Sequence, residues 1–229
     1  MTKPITYKTT EFDHFAHIVS HDLKSPLRNI GSYAQLLKRR YHESLDADAN
    51  IFLDYIVQNA LLMNDFLTDI LELSTIAHDF PRVATDFNQL CQKVERDLQL
   101  SVALHKAIIH IDKLPILNVY PASIEQLLFH LVDNSLKFRN GKTPHIHVSA
   151  VWIADKNTWH FSIKDNGVGL DEKYHDKVFL PFQRIDFRDR PGSGIGLAIC
   201  RKVVQLHGGN IWYTQNTEGG TTFHFTLPV

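Results

Sequence analysis

The chain has 229 residues, of which 44% are hydrophobic and 21% charged, and a formal net charge of −1. This composition fits a folded protein of one or two domains, and the small net charge argues against nucleic acid or anionic membrane as a partner held by bulk electrostatics. No run approaches the roughly 18 apolar residues of a membrane span, and no secretion signal or disulfide pattern is present, so we expect a cytoplasmic protein.

The first third of the chain is predicted to form two helices. Apolar residues recur in alternating steps of four and three, the spacing of a helix-bundle seam, at Phe12, Ala16, Val19, Leu23, Pro26, Ile30, Tyr33 and Leu37. A second apolar-rich helix is predicted over residues 47 to 77. One hairpin of this kind buries little apolar surface, so we expect residues 8–80 to pair with a second copy as a four-helix dimer.

The stretch "SHDLKSPLRNI" places an imidazole beside a carboxylate on the first of these helices. If Ala16 and Leu23 occupy equivalent seam positions, His21 faces away from the seam and into water. An exposed histidine is usually only a solvated surface residue. Here Asp22 lies next to it, and Ser25 follows one turn later, which makes proton transfer a second interpretation.

From residue 83 the pattern changes to a mixture of helices and strands. The segments "HIHVSAVWI" and "TWHFSIKD" alternate with period two, whereas "ASIEQLLFHLVDNSLKF" and "GIGLAICRKVVQLHGG" have helical spacing. Strands are also predicted at "KAIIHID", "NIWYTQ" and "TTFHFTL". Residues 83–229 are therefore predicted to form an α+β two-layer sandwich with a largely antiparallel sheet.

Two glycine-containing stretches of this region suit a nucleotide. In "DNGVGL", Asp165 ends a strand and can accept a hydrogen bond from an exocyclic amine, while Gly167 and Gly169 permit close backbone approach. In "GSGIGLAIC", three glycines lead into a helix N-terminus, where free amides suit phosphate; they are Gly192, Gly194 and Gly196. Either stretch alone is more often an ordinary turn.

A third stretch, "LVDNSLKFRN", carries polar groups on a helix. The Asn134 amide oxygen can bind Mg²⁺, and Lys137 can balance phosphate charge, with Arg139 close by. An asparagine on a helix is usually a surface polar residue, so this stretch indicates a binding site only in combination with the two glycine-containing stretches.

The order and combination of these stretches resembles the sensor histidine kinase family over essentially the whole chain. The resemblance rests on "FAHIVSHDLKSPLRNI", "DNSLKF", "DNGVGL", "VFLPFQR", "GSGIGLAI" and "GGTTFHF", and is strongest to the type found behind phytochrome-like sensors. It implies a dimerising helical hairpin followed by a GHKL-type ATP-binding domain. It also implies ATP and Mg²⁺ as cofactors, phosphorylation of the hairpin, and transfer to an aspartate of a response regulator.

Within this resemblance, each motif residue has an implied role. His21 matches the phosphoacceptor and Asp22 the acid that assists it, Asn134 the Mg²⁺ ligand and Asp165 the residue that reads adenine. The remaining implied nucleotide contacts are Lys137, Arg139, Thr222 and the five glycines of the two glycine stretches.

The chain departs from the family pattern at His130, where many members have an asparagine. Relatives that hydrolyse ATP with water carry a glutamate there, so His130 argues against simple ATPase action. Two alternative functions stay open: a non-catalytic dimeric scaffold or phosphotransfer module that binds a regulator, and a protein-serine kinase on the same nucleotide fold. For the histidine kinase itself, phosphorylation within one chain and between the two chains of a dimer both stay open. The chain is either a catalytic fragment or a stand-alone kinase.

Overall fold

The computed structural model describes residues 11–76, 81–175, 177–183 and 194–229, with side chains for all of these except 11–19, 21 and 75. These residues divide into two compact units close to residue 78. Among the described residues, no helix combines the length and apolarity needed to cross a membrane.

The first unit is a hairpin of two long helices. Helix α1 runs over Glu11–Tyr41 and contains Pro26, and α2 runs over Ala47–Thr75 after a short 3₁₀ turn at His42–Ser44. Asp46 caps α2, because its carboxylate accepts the backbone N–H of Ala49 at 2.7 Å. The two predicted helices are therefore confirmed, and a polar connection joins them.

The two helices pack against each other through residues spaced seven apart. Among the side chains that the structure describes, the buried ones are Ser20, Leu27 and Ala34 on α1 and Ala60, Leu67 and Ser74 on α2. The predicted seam row lies elsewhere on α1. Its described apolar members are exposed within the single chain, from 44% at Leu23 to 68% at Tyr33. Each helix thus carries one row of small or apolar residues that is buried against its hairpin partner, and α1 carries a second, apolar row that is exposed in the single chain.

The described residues of the second unit form a five-stranded sheet, a two-stranded sheet and four α-helices. The helices are α3 (Phe87–Asp97), α4 (Gln99–His105), α5 (Pro121–Lys137) and α6 (Gly196–Leu206). The strands are β1 (Val83–Asp86), β2 (Ile108–Ile111), β3 (Ile116–Val119), β4 (His145–Ile153), β5 (Thr158–Asp165), β6 (Ile211–Gln215) and β7 (Thr221–Pro228).

The large sheet has the strand order β2-β4-β5-β7-β6. Only the β2–β4 pair is parallel, and the other three pairs are antiparallel. Strands β1 and β3 form the separate antiparallel pair. The predicted α+β sandwich with a largely antiparallel sheet is confirmed.

The core of this unit lies between one face of the large sheet and its helices. Phe161 on β5 is fully buried and stacks on Phe225 of β7 at 4.7 Å and on Phe87 of α3 at 4.8 Å between ring centroids. Both cysteines of the chain are buried here as free thiols. Burial raises the pKa of Cys91 to about 12, and it raises the pKa of Cys200 as well.

Candidate functional site

A buried carboxylate lies at the point where β5 ends. Asp165 is 7% exposed, and its Oδ1 accepts the backbone N–H groups of Gly167 at 2.8 Å and Thr221 at 3.0 Å. The Ser135 hydroxyl donates to Oδ2 only across 3.5 Å. Burial raises the pKa of Asp165, and the hydrogen bonds from Gly167, Thr221 and Ser135 partly oppose that rise. One carboxylate oxygen is therefore held by the backbone, while the other can still accept from a ligand.

Glycines let the backbone close tightly around this carboxylate. A Cβ built on Gly167 would lie 2.5 Å from the Phe138 carbonyl oxygen and 3.0 Å from Asp165 Oδ1. Gly220 has φ +91°, and a Cβ there would overlap the Asp165 carbonyl group. Gly169 also has a positive φ, +81°. Larger residues would push the surrounding segments away from Asp165.

The loop after β5 is tied to the segment that joins α5 to β4. Asn166 accepts the backbone N–H of His145 at 2.9 Å and donates to the Thr143 carbonyl at 3.0 Å. The Asn140 side chain donates to the Asn166 carbonyl at 2.8 Å. These contacts hold the "DNG" turn in place, so the Asp165 carboxylate has a fixed position relative to α5.

Thr222 contributes to the site indirectly. It is 8% exposed, and its hydroxyl donates to Asn216 Oδ1 at 2.6 Å. Asn216 in turn donates to the Asp165 carbonyl at 2.8 Å. In this structure Thr222 therefore orients a residue that holds β5, and it is its neighbour Thr221 that contacts the carboxylate.

Helix α5 presents the polar residues predicted for metal and phosphate. Asn134 is half-buried, and no hydrogen bond to its side chain is found among the described residues. Lys137 forms an ion pair with Asp133 at 2.5 Å, one turn earlier on the helix. The Arg139 guanidinium donates to the Leu136 carbonyl at 3.5 Å. A phosphate would compete with Asp133 for Lys137, whereas the Asn134 amide is available without such competition.

His130 lies where α5 meets the start of α6. It precedes Asn134 by one turn, and a Cβ built on Gly196 would lie 3.1 Å from His130 Nδ1. Gly194 has φ +75°, and α6 begins two residues later at Gly196. The imidazole thus leaves little space for a Cβ at the first position of α6, where helix amides suit an anion. Gly192 lies outside the described residues.

The predicted phosphoacceptor region lies on α1. His21 is within the helix, but its side chain is outside the described part of the chain. The adjacent Asp22 and Ser25 one turn later are both exposed. Solvent and a partner can therefore reach the two polar neighbours of His21.

Several residues that build the site were not singled out from the sequence: Ser135, Asn216, Gly220 and Thr221. Ser135 stands between the predicted Asn134 and Lys137, so the "DNSLK" motif could have drawn attention to it. Thr221 acts through its backbone N–H, a group that every residue except proline has, so the residue type does not reveal this role. The Gly-Gly pair before β7 is a recognisable signal of close backbone approach.

Two protein-family models match the chain. Residues 13–79 match the His Kinase A (phospho-acceptor) domain, and residues 120–229 match the histidine kinase-, DNA gyrase B- and HSP90-like ATPase. The first match includes His21, and the second includes Asn134, Asp165 and Gly196.

Curated relatives cover nearly all of the chain. Cyanobacterial phytochrome A of Nostoc sp. is 38% identical over 223 residues, which are 96% of this chain and 29% of that protein. Phytochrome-like protein Cph1 of Synechocystis sp. is 32% identical, over 100% of this chain and 31% of that protein. The chain therefore spans about a third of the length of these relatives.

Solved structures share the fold at low sequence identity. Full-length ShkA in complex with AMPPNP aligns with a TM-score of 0.67 at 21% identity, covering 94% of this chain and 46% of that one. ThkA in complex with the response regulator protein TrrA aligns with a TM-score of 0.65 at 22% identity, covering 94% and 61%.

Proposed function

Since this chain belongs to the sensor histidine kinase family, we propose that it is an ATP-dependent protein-histidine kinase. It phosphorylates His21 and then passes the phosphoryl group to an aspartate in the receiver domain of a response regulator. Residues 8–80 serve for dimerisation and phosphotransfer, and residues 83–229 form the catalytic ATP-binding domain.

The observation that carries the proposal is the environment of Asp165. The carboxylate is buried and held at Oδ1 by two backbone N–H groups, and its Oδ2 has only the 3.5 Å contact with Ser135 among the described residues. A buried acceptor that is half satisfied favours a ligand that donates a hydrogen bond, such as the amino group of adenine. Gly167 and Gly169 let the backbone pack closely around this carboxylate.

The groups around α5 and α6 suit the triphosphate and a magnesium ion. The Asn134 amide oxygen is the kind of neutral ligand that Mg²⁺ takes together with waters and phosphate oxygens. Lys137, Arg139 and the glycine stretch before α6 supply positive charge and free amides, with Gly192, Gly194 and Gly196 as the implied positions. Bound Mg²⁺ would screen the phosphate charge and help to align the terminal phosphate.

The residues of α1 supply the acceptor chemistry. One imidazole nitrogen of His21 attacks the γ-phosphorus of ATP, the bond to the bridging oxygen breaks, and ADP leaves. Asp22 accepts the proton from the other ring nitrogen and limits the positive charge that develops on the imidazole. Catalysis otherwise consists mainly of positioning.

The exposed apolar row of α1 supports assembly as a homodimer. Leu23, Ile30, Tyr33 and Leu37 stay 44% to 68% exposed in the single chain, although a helix-bundle seam normally buries such residues. Pairing of two hairpins would cover this row. We also propose a cytoplasmic location, because the reaction needs ATP and ATP is present there.

The experiment that tests this function follows label from γ-labelled ATP with Mg²⁺ in the purified chain. We expect acid-labile, alkali-stable label that His21→Gln abolishes and that Asn134→Ala lowers at least about 100-fold, since metal coordination supplies several kcal/mol. His17→Gln, which removes a histidine one turn earlier on α1, is the matched control and should keep its label. The labelled chain should then lose label to a receiver domain.

Label that persists in His21→Gln would place the acceptor elsewhere and overturn the assignment. ATP binding without any label, together with binding of a receiver domain, would favour the non-catalytic scaffold. Label stable to acid would indicate a serine kinase instead.

A further inference from the structure

Two histidines and an aspartate converge at one edge of the large sheet. His110 on β2 and His147 on β4 are direct partners in the parallel register of these strands, and Asp112 follows the end of β2. The Nε2 atoms of His110 and His147 lie 3.2 and 3.1 Å from the same Asp112 oxygen, Oδ1. All three atoms lie within 4.8 Å of one another, and the two rings are 5.0 Å apart.

This cluster lies on the face of the sheet opposite to the nucleotide site. Ile146 and Val148, the neighbours of His147 along β4, are buried, whereas His145 and His147 are exposed. Asp165 is the register partner of Ile146 and so belongs to the buried face. The cluster is therefore separate from the residues of the proposed nucleotide site, and its chemistry can be tested separately.

The backbone of Asp112 is held in position before any ion binds. The backbone N–H of Asp112 donates to the Val148 carbonyl at 3.0 Å, and the Asp112 carbonyl accepts from the Asn88 side chain at 2.9 Å. Asn88 also accepts the backbone N–H of Leu114 at 2.9 Å. Because the residue is fixed on both sides and the histidines are fixed by strand pairing, ordering these groups around an ion costs little.

We propose that His110, Asp112 and His147 bind a first-row divalent transition-metal ion such as Zn²⁺. Two imidazoles and one carboxylate with an open position are a donor set for Zn²⁺ and its neighbours, whereas Mg²⁺ and Ca²⁺ take oxygen ligands. Zn–N and Zn–O bonds of about 2.0–2.2 Å place tetrahedral ligands roughly 3.3 Å apart. The two nitrogen–oxygen separations already match this spacing.

Binding changes the protons of the cluster in a defined way. A neutral imidazole that donates its Nε2 proton to Asp112 must move that proton to Nδ1, which frees the Nε2 lone pair for the ion. An imidazolium must lose one proton instead. Because protons then compete with the ion, the affinity of the cluster for the metal ion falls as the pH is lowered. Once bound, the ion joins edge strand β2 to β4, and water fills the remaining coordination position.

One positive charge opposes the ion. Lys164 on β5 is the register partner of His147, so it lies on the same exposed face. Repulsion between the lysine ammonium and a divalent cation lowers the affinity of the site for the ion, and water and salt limit that loss to about two- to tenfold. Lys164→Gln should therefore tighten binding by about that factor.

The test is a titration of the full chain, stripped of metal, with Zn²⁺ in the presence of excess Mg²⁺. We expect His110→Ala and His147→Ala each to weaken one site at least about 100-fold, and Asp112→Asn about tenfold or more. His145→Ala removes an exposed histidine from the same face of β4 and is expected to leave that site unchanged. Co²⁺ in place of Zn²⁺ should give the visible absorption bands of a low-symmetry, four- or five-coordinate ion.

Affinity for an ATP analogue, measured for every variant, shows whether the sandwich is folded, because the nucleotide site lies on the other face. The proposal is overturned if folded His110→Ala and His147→Ala bind Zn²⁺ as tightly as the parent does. It is overturned equally if His145→Ala loses as much affinity for Zn²⁺ as these two variants. It is also overturned if the site disappears only on substitution of His160 or His224, the other pair of neighbouring histidines on this sheet. The proposal is supported if affinity for Zn²⁺ is lost in His110→Ala, Asp112→Asn and His147→Ala and is kept in His145→Ala.

Discussion

The two units of the chain differ in how much of their apolar surface they bury. In the sandwich, large side chains such as Phe161, Phe225 and Ile163 are fully buried. In the hairpin, the buried apolar residues of α1 are Leu27 and Ala34, while large side chains on both helices remain 43% to 68% exposed. The sandwich has a complete core of its own. The hairpin leaves large apolar side chains exposed, and in the proposed homodimer a second copy would cover them, so its stability would then depend on concentration.

The largest expected effect is a loss of stability in the sandwich. Phe161→Ala removes the ring that stacks on both Phe87 and Phe225, and we expect it to lower the free energy of unfolding by about 3–5 kcal/mol. Urea unfolding followed by tryptophan fluorescence reports it, because all three tryptophans lie in this unit. Val151→Ala, at a 62% exposed position, is the control and should change stability little. A small effect of Phe161→Ala would show that the core is looser than described.

The next effect concerns the association of hairpins. Ile30→Glu combined with Leu37→Glu places charges in the exposed row of α1, and we expect the dimer to weaken more than about 100-fold. Sedimentation equilibrium measures this, and ATP affinity should stay within twofold. Gln35→Glu adds a charge elsewhere on α1 and should leave association unchanged. Equal loss in the control would place the interface on another face.

Asp165→Asn tests the buried carboxylate at the end of β5. Loss of a charged acceptor should weaken ATP binding about 10- to 100-fold, as measured by calorimetry. Burial raises the pKa of Asp165, so its contribution to folding is present at acid pH and is lost as the pH rises through the folded pKa. At pH 7 the ionised Asp165 carboxylate therefore lowers the stability of the folded state. The Asp165→Asn variant should have a Tm equal to or above that of the parent.

The gap in Tm between Asp165→Asn and the parent should shrink as the pH falls toward about 4, near the ordinary pKa of an aspartate. A variant that is less stable than the parent at pH 7 would contradict the assigned direction of the pKa shift.

The smallest effects come from a pair of glycine substitutions, one in each unit. Gly167→Ala forces a Cβ within 2.5 Å of the Phe138 carbonyl and should cost about 1–3 kcal/mol, with a loss of ATP affinity. Gly31→Ala on α1 would meet Ala60 Cβ at an ordinary 3.4 Å and should stabilise by about 0.5–1 kcal/mol. Thermal unfolding with and without nucleotide measures both. Similar costs at the two positions would show that the hairpin is packed as tightly as the sandwich.

Sequence patterns were sufficient for the long elements. Strands β4 and β5 coincide with the predicted segments, because nine- and eight-residue alternations are unambiguous. Strands β1 and β3 have four residues each, and α3 buries only Phe87, Leu90, Cys91 and Val94, so none of them was assigned from the sequence. Short elements of this kind are stabilised by tertiary contacts more than by local pattern.

The candidate site was only partly predictable, for a related reason. Asp165 and its glycines stand together in one short motif, which sequence can reveal. The donors that fix Asp165 come from Ser135 and Thr221, 30 and 56 residues away, and only the folded sheet brings them there. The pairing of His110 with His147 likewise depends on the register of two parallel strands. The role of His21 stays a prediction.

The two cysteines give the sandwich a built-in reporter of its own opening. Cys91 and Cys200 are buried with raised pKa values, so thiol reagents will modify them slowly while the unit is closed. The hairpin contains no cysteine. The rate of alkylation in the native protein therefore measures local or global unfolding of the nucleotide-binding unit alone, and a bound nucleotide should slow it without any engineered label.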